Sequence, residues 1–377
     1  MPYFDHAATT PMRPGVWDAM SPYGTQVFGN SSGVHEISRT AKNALEESRE
    51  RIAQLIGARP MEIVFTSGGT ESDNLALKGS VWNSSPRNGA ITVATEHEAV
   101  LDTVDMLNRF GAPTTVVGVD AGGLVDVERL LGLIDGTTSI VSIMTVNNET
   151  GVIQDVASIS HGVKAADSDV LVHSDAVQGF AADWIDVNDL GVDLLTITGH
   201  KFGGPKGVGL LYVREGTMVE PLLHGGGQEL GRRSGTHDVA SAVGLAAAME
   251  MAAADRDRFR SEVGQARDQF EKILVNGVEG TRVNGSTDSR SVHHLNVRIP
   301  GVRNETLLMR LDQADLAASA GSACQSGAAT VSHVLQAMGL TSDEARESVR
   351  FSFGWTTTVE EAIDGASLVV ELVEQLR

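Results

Sequence analysis

The chain has 377 residues, of which 49 are acidic and 29 are basic, so its formal net charge at pH 7 is −20. It holds no Lys/Arg-rich run of the kind that binds a nucleic-acid backbone, so stable nucleic-acid binding is not expected. Cys324 is the only cysteine, which excludes a disulfide within the chain and a metal site built from several cysteines.

The compartment is predicted from the same features. The first residues, MPYFDHAATTP, lack the basic and apolar regions of a signal peptide. The longest nearly apolar run, LAAAMEMAAA at 245–254, is shorter than the roughly 20 residues of a membrane span. We therefore expect a cytoplasmic protein with no membrane association.

Short apolar, β-branched runs recur along the first two thirds of the chain and predict strands. These runs are EIVFTS (62–67), AITVAT (90–95), TTVVGV (114–119), SIVSIMTV (139–146), DVLVHSD (169–175), DLLTITG (193–199) and GLLYV (209–213). Segments with helical spacing lie between most of them, among them 39–57 and 127–134. This alternation predicts a mostly parallel sheet covered by helices on both faces, with ligands beyond the carboxyl ends of the strands.

A helix-rich stretch from 241 to about 275 leads into a second unit. That unit holds HHLNVRIP (293–300), VRFSFG (349–354) and an amphipathic helix at 359–376. We place the boundary near residue 255 and predict a large domain over 15–255. Residues 1–14 and 256–377 are expected to form a smaller α/β domain.

The first candidate site follows the first predicted strand. There, SGGTESDN (67–74) places Gly69 and Thr70 at the start of a helix. Backbone N–H groups at a helix start, exposed by glycine and aided by a hydroxyl group, suit a phosphate. The stretch does not match the nucleotide-binding pattern GxxxxGK[ST], and a plain helix cap is the alternative.

A carboxylate and a lysine follow two later strands. Asp175 ends the strand VLVHSD, and Lys201 follows the strand LLTITG. Pyridoxal phosphate requires such a pair, because a carboxylate keeps the pyridine nitrogen protonated while a lysine holds the aldehyde as a Schiff base. Lys206, in GGPKGVG, is the rival lysine, but it lies in a predicted loop. His97 follows AITVAT and is suited to stacking on the ring and to proton transfer, with a structural histidine as the alternative.

Cys324 lies in SAGSACQSGA (319–328), among residues too small to build a core. A free cysteine is most often a small buried hydrophobic residue. A cofactor site elsewhere in the same chain favours a second interpretation, in which Cys324 is a reactive thiol on a loop that can move.

Motifs over nearly the whole chain resemble those of the cysteine desulfurases, pyridoxal-phosphate enzymes of aminotransferase class V and fold type I. The matching stretches are FDHAATTP (4–11), FGNSSGVHE (28–36), IVFTSGGTESDN (63–74), TEHEAVLDT (95–103), VNNETGVIQD (146–155), HSDAVQG (173–179), TGHKFGGPKGVG (198–209), HGGGQELGRRSGT (224–236), SAGSAC (319–324) and VRFSFG (349–354). The resemblance implies a large domain with a mostly parallel seven-stranded sheet and a smaller C-terminal domain. His6 departs from the Tyr or Asn that is frequent in the family, and Thr198 replaces a frequent Ser.

The resemblance also implies a role for each matching residue. Lys201 would carry the cofactor, Asp175 would pair with its pyridine nitrogen and His97 would stack on its ring. Arg350 would clamp the substrate carboxylate, and Cys324 would accept the sulfur. The remaining positions are implied as cofactor contacts: Asn148 and Gln178 at the phenolic oxygen or the substrate; Gly69, Thr70, Thr198 and His200 at the phosphate; and Thr236 at the phosphate from the other subunit of a homodimer.

The implied reaction converts L-cysteine to L-alanine and leaves a persulfide on Cys324. The implied sulfur acceptor is an iron–sulfur scaffold or a tRNA-thiolation enzyme. The alternatives are a selenocysteine lyase, another class-V lyase or aminotransferase, and a non-catalytic delivery protein that keeps the fold. The thiol in SAGSAC disfavours an aminotransferase, and the presence of Asp175, Lys201 and Cys324 disfavours a non-catalytic protein. No metal is expected.

Overall fold

The computed structural model describes residues 2–84, 86–321 and 331–377. Within these ranges, one sheet contains β1 (Ile63–Thr66), β2 (Gly89–Val93), β3 (Thr114–Val117), β4 (Thr138–Ser142), β5 (Leu171–Asp175), β6 (Leu194–Thr198) and β7 (Gly209–Val213); a smaller sheet contains β8 (Arg282–Val283), β9 (His294–Arg298) and β10 (Ser348–Ser352).

The helices surround these two sheets. Those of the described ranges are α1 (Pro14–Thr25), α2 (Glu36–Leu55), α3 (Gly69–Asn83), α4 (Glu98–Arg109), α5 (Val127–Leu131), α6 (Val156–Ala166), α7 (Val187–Leu190), α8 (Val239–Ala254), α9 (Arg256–Arg258), α10 (Gly264–Gly277), α11 (Asn304–Gln313), α12 (His333–Ala337), α13 (Ser342–Ala345) and α14 (Val359–Leu376). Short 3-10 turns occupy Pro60–Glu62, Gly199–Lys201 and Glu229–Gly231, and a π turn joins α9 to α10 at Phe259–Val263.

The large sheet has the order β1-β7-β6-β5-β4-β2-β3. β7 is antiparallel to both of its neighbours, β1 and β6, while the remaining pairs are parallel. The strands other than β7 therefore all run in one direction, and their carboxyl ends meet at one edge of the sheet. The mostly parallel α/β sheet expected from the sequence is confirmed.

Both faces of this sheet are buried against helices, which explains the continuous apolar runs of its strands. Neighbouring residues along a strand point to opposite faces. Val64 accordingly packs in one hydrophobic cluster, together with residues of α3 and α4. Ile63 and Phe65 pack in a second cluster, together with residues of α2 and α8.

The amino-terminal segment joins the small sheet. Phe4 donates its backbone N–H to the Ala317 carbonyl oxygen at 2.9 Å, and its own carbonyl oxygen accepts from Ser352 N at 2.8 Å. The Phe4 ring packs on the rings of Phe270 and Phe353. We propose a large domain over 15–255, whose boundary lies next to the end of α8 at Ala254, and a small domain formed by 1–14 and 256–377.

Candidate active site

The turn after β1 presents open backbone donors. Gly68 has φ +149°, a region that favours glycine because it has no Cβ atom. No side chain caps the start of α3 there, so the first N–H groups of this 15-residue helix point toward the cleft at Gly69 and Thr70. The Ser67 N–H donates to the Glu71 carboxylate at 2.7 Å and closes the turn. A phosphate suits this arrangement.

Asp175 and Lys201 lie at the ends of neighbouring strands. Asp175 is the last residue of β5, and Lys201 ends the 3-10 turn that follows β6. Both line one cleft. The Lys201 ammonium donates to the carbonyl oxygens of Ala7 and Ala8 at 2.5 and 3.0 Å. The amino-terminal segment therefore orients the lysine that the sequence singled out.

The Asp175 carboxylate is buried and only partly compensated. Asp175 is 7% exposed, and its Oδ1 accepts a hydrogen bond from Val177 N at 2.8 Å. Burial raises the pKa of Asp175, while the Val177 hydrogen bond, His97 and Lys201 oppose that increase. A carboxylate in this position gains stability from a cationic N–H group placed in the cleft.

His97 lines the same cleft as a neutral imidazole. It caps α4, and its Nδ1 accepts from Ala99 N at 3.1 Å. An accepting Nδ1 carries no proton, so the proton of the neutral ring is on Nε2. Burial lowers the pKa of His97, and the positive charge of Lys201 lowers it further, against the opposing effect of Asp175. The neutral ring of His97 can therefore stack on an aromatic ligand. It can take up a proton at Nδ1 if Nδ1 releases its hydrogen bond from Ala99 N.

Two predicted phosphate contacts follow β6. His200 Nδ1 lies 3.1 Å from the Thr9 hydroxyl group, and burial, together with the charges of Lys201 and Lys206, lowers the pKa of His200 to about 4. A neutral His200 can donate an N–H group to an anion. The Thr198 hydroxyl group lines the cleft and donates to the Val208 carbonyl oxygen at 3.1 Å.

Arg350 closes the side of the cleft nearest the small sheet. It is 2% exposed; Nη1 donates to the Asn148 carbonyl oxygen at 2.9 Å, and Nη2 donates to Asp5 Oδ1 at 2.7 Å. The predicted clamp is thus fixed in orientation by the amino-terminal segment, through Asp5, and by the loop after β4, through Asn148. Gln178, which also lines the cleft, donates Nε2 to the Ala7 carbonyl oxygen at 2.9 Å.

The cleft contains about 830 Å³ of empty space, part of it open to solvent. The predicted site residues that line it are Gly69, Thr70, His97, Asn148, Asp175, Gln178, Thr198, His200, Lys201 and Arg350. Lys206 is exposed and lines a neighbouring cleft with Ser67 and Glu71, so the geometry favours Lys201. Thr236 lines a separate pocket beside Phe65, and its predicted role in a partner subunit stays a prediction. Cys324 lies outside the described residues.

Asp73 and Asp5 were not predicted from the sequence. Asp73 is 1% exposed and lines the cleft one helical turn after Thr70. Its spacing of three residues from Thr70 was the signal that could have identified it. Burial and the charge of Asp175 raise its pKa well above the ordinary value. Asp5 meets Arg350 only through the fold, since the two residues are at opposite ends of the chain.

No helix in the described ranges is both long and apolar enough to cross a membrane. Among the residues that the structure describes, no group of three His, Cys, Asp or Glu side chains could hold a metal ion.

Comparisons with known proteins extend the resemblance. A model of the class-V aminotransferase family matches residues 2–364. Cysteine desulfurase IscS of Dictyoglomus turgidum is 40% identical over 376 residues, which cover 100% of this chain and 95% of the relative. The solved structure of a NifS-like protein has a TM-score of 0.93 at 35% identity and 99% coverage of both chains. The structure of SspA in complex with cysteine has a TM-score of 0.83 at 37% identity, covering 94% of this chain and 99% of that one.

These matches confirm the α/β fold and the family expected from the sequence. The family model covers almost all of the chain, and the alignment with the relative covers all of this chain and 95% of the relative. The chain therefore belongs to the class-V aminotransferase family and, within it, to the cysteine desulfurases.

Proposed function

We propose that this protein converts L-cysteine to L-alanine with pyridoxal phosphate and passes the sulfur to the thiol of Cys324. One observation carries the proposal: Asp175 and Lys201 line a single cleft at the ends of neighbouring strands, in a chain 40% identical over its whole length to a cysteine desulfurase. The structure with bound cysteine among the neighbours supports the substrate, since SspA is similar to this chain at 37% identity.

The residues of the cleft fit pyridoxal phosphate, on which this family depends. The buried Asp175 carboxylate matches a protonated ring nitrogen, and the uncapped start of α3 at Gly69 and Thr70 matches a phosphate. Lys201 would hold the cofactor covalently. His97 would stack on the ring, while Thr198 and His200 would complete the phosphate site, and Asn148 and Gln178 would face the phenolic oxygen or the substrate.

When bound, pyridoxal phosphate stores the electron pair released at the substrate α-carbon and makes the carbon–sulfur bond breakable. The Lys201 amine would remove the substrate α-proton as a general base. Its two contacts to the Ala7 and Ala8 carbonyl oxygens hold it at the wall of the cleft that would receive the substrate.

Arg350 would orient the substrate by pairing its planar guanidinium group with the α-carboxylate. Asp5 holds Nη2 of that group at 2.7 Å. This contact fixes the plane of the guanidinium group before the substrate binds. The substrate carboxylate would then either displace Asp5 from the guanidinium group or bind to it together with Asp5.

Sulfur transfer requires a thiolate, because an ordinary thiol with a pKa of about 8.5 is mostly protonated at neutral pH. We propose that the Cys324 thiolate attacks the substrate sulfur: a sulfur–sulfur bond forms, the carbon–sulfur bond breaks and protonation of the carbon fragment gives alanine. Nε2 of His97 already carries the ring proton, so His97 would take up the thiol proton at Nδ1 on releasing Ala99 N.

We further propose a cytoplasmic homodimer in which Thr236 reaches the phosphate of the partner's cofactor. The position of Thr236 outside the main cleft of its own chain supports this arrangement. Exposed apolar side chains in the described part of the chain, such as Phe28 and Val34, are consistent with a covered surface. The persulfide would pass to an iron–sulfur scaffold or to a tRNA-thiolation enzyme.

The test uses the purified holoenzyme with L-cysteine and a thiol reductant. We expect equal amounts of alanine and sulfide, and borohydride should attach the cofactor to Lys201. Cys324→Ala should keep the cofactor and lose sulfide release. Sulfide release at the full rate by Cys324→Ala would refute the persulfide mechanism, and activity with selenocysteine alone would favour the lyase alternative.

A further inference from the structure

We propose that Glu149 is a positioning residue for sulfur transfer to Cys324: beside the cofactor cleft, its carboxylate binds Ser332 and packs against Gly321, two described residues that flank 322–330. The proposal rests on the proposed function, because it assigns a consequence to the reach of the Cys324 thiol.

Glu149 is held rigidly next to the cleft. It is fully buried and follows Asn148, which lines the cleft. Its backbone N–H donates to Asn147 Oδ1 at 3.0 Å, and its carbonyl oxygen accepts from Asn296 Nδ2 at 3.2 Å. With the backbone fixed on both sides, the carboxylate has a defined direction.

The chain enters the stretch at Gly321, which lies directly against this carboxylate. A Cβ atom at Gly321 would lie 2.6 Å from Glu149 Oε2, closer than real Cβ contacts. Gly321 also has φ +134°, which a side chain would strain. Just before it, Ser319 pairs with Arg350 through backbone hydrogen bonds of 2.7 and 3.2 Å. Gly321 therefore packs against Glu149, and the backbone just before it is held by Arg350, the predicted substrate clamp.

The chain leaves the stretch beside the same carboxylate oxygen. The Ser332 hydroxyl group donates to Glu149 Oε2 at 2.5 Å and accepts from Leu335 N at 3.1 Å as the cap of α12. The next residue, His333, donates Nε2 to the Glu96 carbonyl oxygen at 3.0 Å. Glu96 directly precedes the predicted ring-stacking residue, His97.

One carboxylate oxygen thus lies next to two residues that are eleven positions apart in the sequence, Gly321 and Ser332. Gly321 and Ser332 both meet Oε2 of Glu149, and the backbone around them is tied to Arg350 and Glu96. Sulfur transfer needs the thiol within bonding reach of an atom held in the cleft, and a small displacement of a reacting group is costly to the rate. Holding both ends sets that reach without any contact between Glu149 and the substrate.

The experiment separates positioning from cofactor binding in the holoenzyme. Single-turnover transfer of sulfur from L-cysteine to Cys324 is measured by mass spectrometry, alongside cofactor content, the spectral change on cysteine binding, and KM. For Glu149→Ala we expect transfer slowed about tenfold to a hundredfold, with cofactor content and the spectral change preserved. Glu149→Gln keeps an oxygen acceptor for Ser332, so it should recover part of the rate.

Ser332 supplies an independent test of the same contact. Ser332→Ala should slow transfer, while Ser332→Thr, which keeps the hydroxyl donor, should stay near the wild-type rate. In the double variant Glu149→Ala/Ser332→Ala, transfer should be no slower than in Glu149→Ala alone, because the two residues act as one unit. If Glu149→Ala fails to fold, the Ser332 pair decides.

A matched control separates this contact from the loss of a helix cap. Thr341 caps α13, accepting from Glu344 N at 3.3 Å in an exposed capping box, so Thr341→Ala should leave sulfur transfer unchanged. The proposal would be overturned if Glu149→Ala transferred sulfur at the wild-type rate, or if the rate losses of the two single variants multiplied in the double variant. It would also be overturned if the variants lost cofactor in proportion to their loss of rate. Failure of the proposed function would appear differently, as sulfide release that survives Cys324→Ala.

Discussion

The buried carboxylate of Glu229 accepts four hydrogen bonds beside β1, so replacing Glu229 tests how much these contacts stabilise the fold. Its carboxylate receives both Nη atoms of Arg49 at 2.8 and 2.9 Å, Phe65 N at 2.9 Å and His237 Nε2 at 2.8 Å. Its side chain is 1% exposed. Glu229 and Leu230 both have positive φ, at 50° and 58°, a conformation that costs free energy in residues other than glycine.

Two routes give the same magnitude for Glu229→Gln. These partners lower the pKa of Glu229 from 4.5 to about 2, against the opposing effect of burial, and such a change corresponds to about 3 kcal/mol of folding free energy. Loss of one partner of a buried ion pair costs about 3–5 kcal/mol. We therefore expect Glu229→Gln to lower the free energy of unfolding at pH 7 by about 3 kcal/mol.

The assay is urea unfolding of the cofactor-saturated protein at pH 7 and again at lower pH. The folded pKa of Glu229 lies below the unfolded value, so the stabilisation is complete above pH 4.5 and declines as the pH falls toward about 2. The gap between wild type and Glu229→Gln should shrink accordingly. Asp343→Asn, which removes an ion pair whose side chains are 53% and 85% exposed, is the control and should cost at most about 1 kcal/mol.

If Glu229→Gln were as stable as the control variant, the hydrogen bonds and ion pair of the Glu229 carboxylate would not stabilise the fold as we expect. A gap that stays constant as the pH falls from 4.5 would also count against this expectation, because the stabilisation would then not come from the ionised carboxylate. Glutamine preserves size and backbone, so neither outcome could be assigned to a cavity.

Three other substitutions test separate parts of the molecule. Lys201→Ala should lose the borohydride-fixed cofactor and reduce turnover by about a thousandfold; a label fixed on Lys206 instead would show that the lysine is misassigned. Asp175→Asn should weaken cofactor binding by about a hundredfold, or about 3 kcal/mol, as measured by dialysis and reconstitution, and unchanged retention would remove Asp175 from the ring nitrogen. Phe270→Ala, whose ring is buried against those of Phe4, Phe351 and Phe353, should cost about 3–5 kcal/mol in urea unfolding while cofactor content per folded protein stays constant.

The strands were predictable because their burial on both faces leaves a continuous apolar signal in the sequence. GLLYV (209–213) coincides with β7, and DVLVHSD ends, like β5, at Asp175. The reversed direction of β7 was not predicted. It follows from the link between β6 and β7, which holds only the 3-10 turn Gly199–Lys201, whereas a parallel connection needs a crossover of a dozen or more residues.

The site was predictable where a residue directly follows a strand. Asp175 ends β5, while His97 and Lys201 come within four residues of the ends of β2 and β6, and the structure places all three in one cleft. Asp5 and Glu149 have no such signal. Asp5 acts on Arg350 across the whole length of the chain, and the contacts of Glu149 become visible only when Gly321 and Ser332 are brought together. Long-range contacts of this kind depend on packing that local sequence patterns do not encode.

In the proposed reaction, sulfur leaves L-cysteine and arrives on Cys324. The most direct measurement is mass spectrometry of the holoenzyme after one turnover with L-cysteine in the absence of reductant, followed by peptide mapping. We expect one additional sulfur atom on the peptide that contains Cys324, and one molecule of alanine released for each sulfur atom added. Alanine and free sulfide in equal amounts, with an unmodified Cys324 peptide, would contradict it.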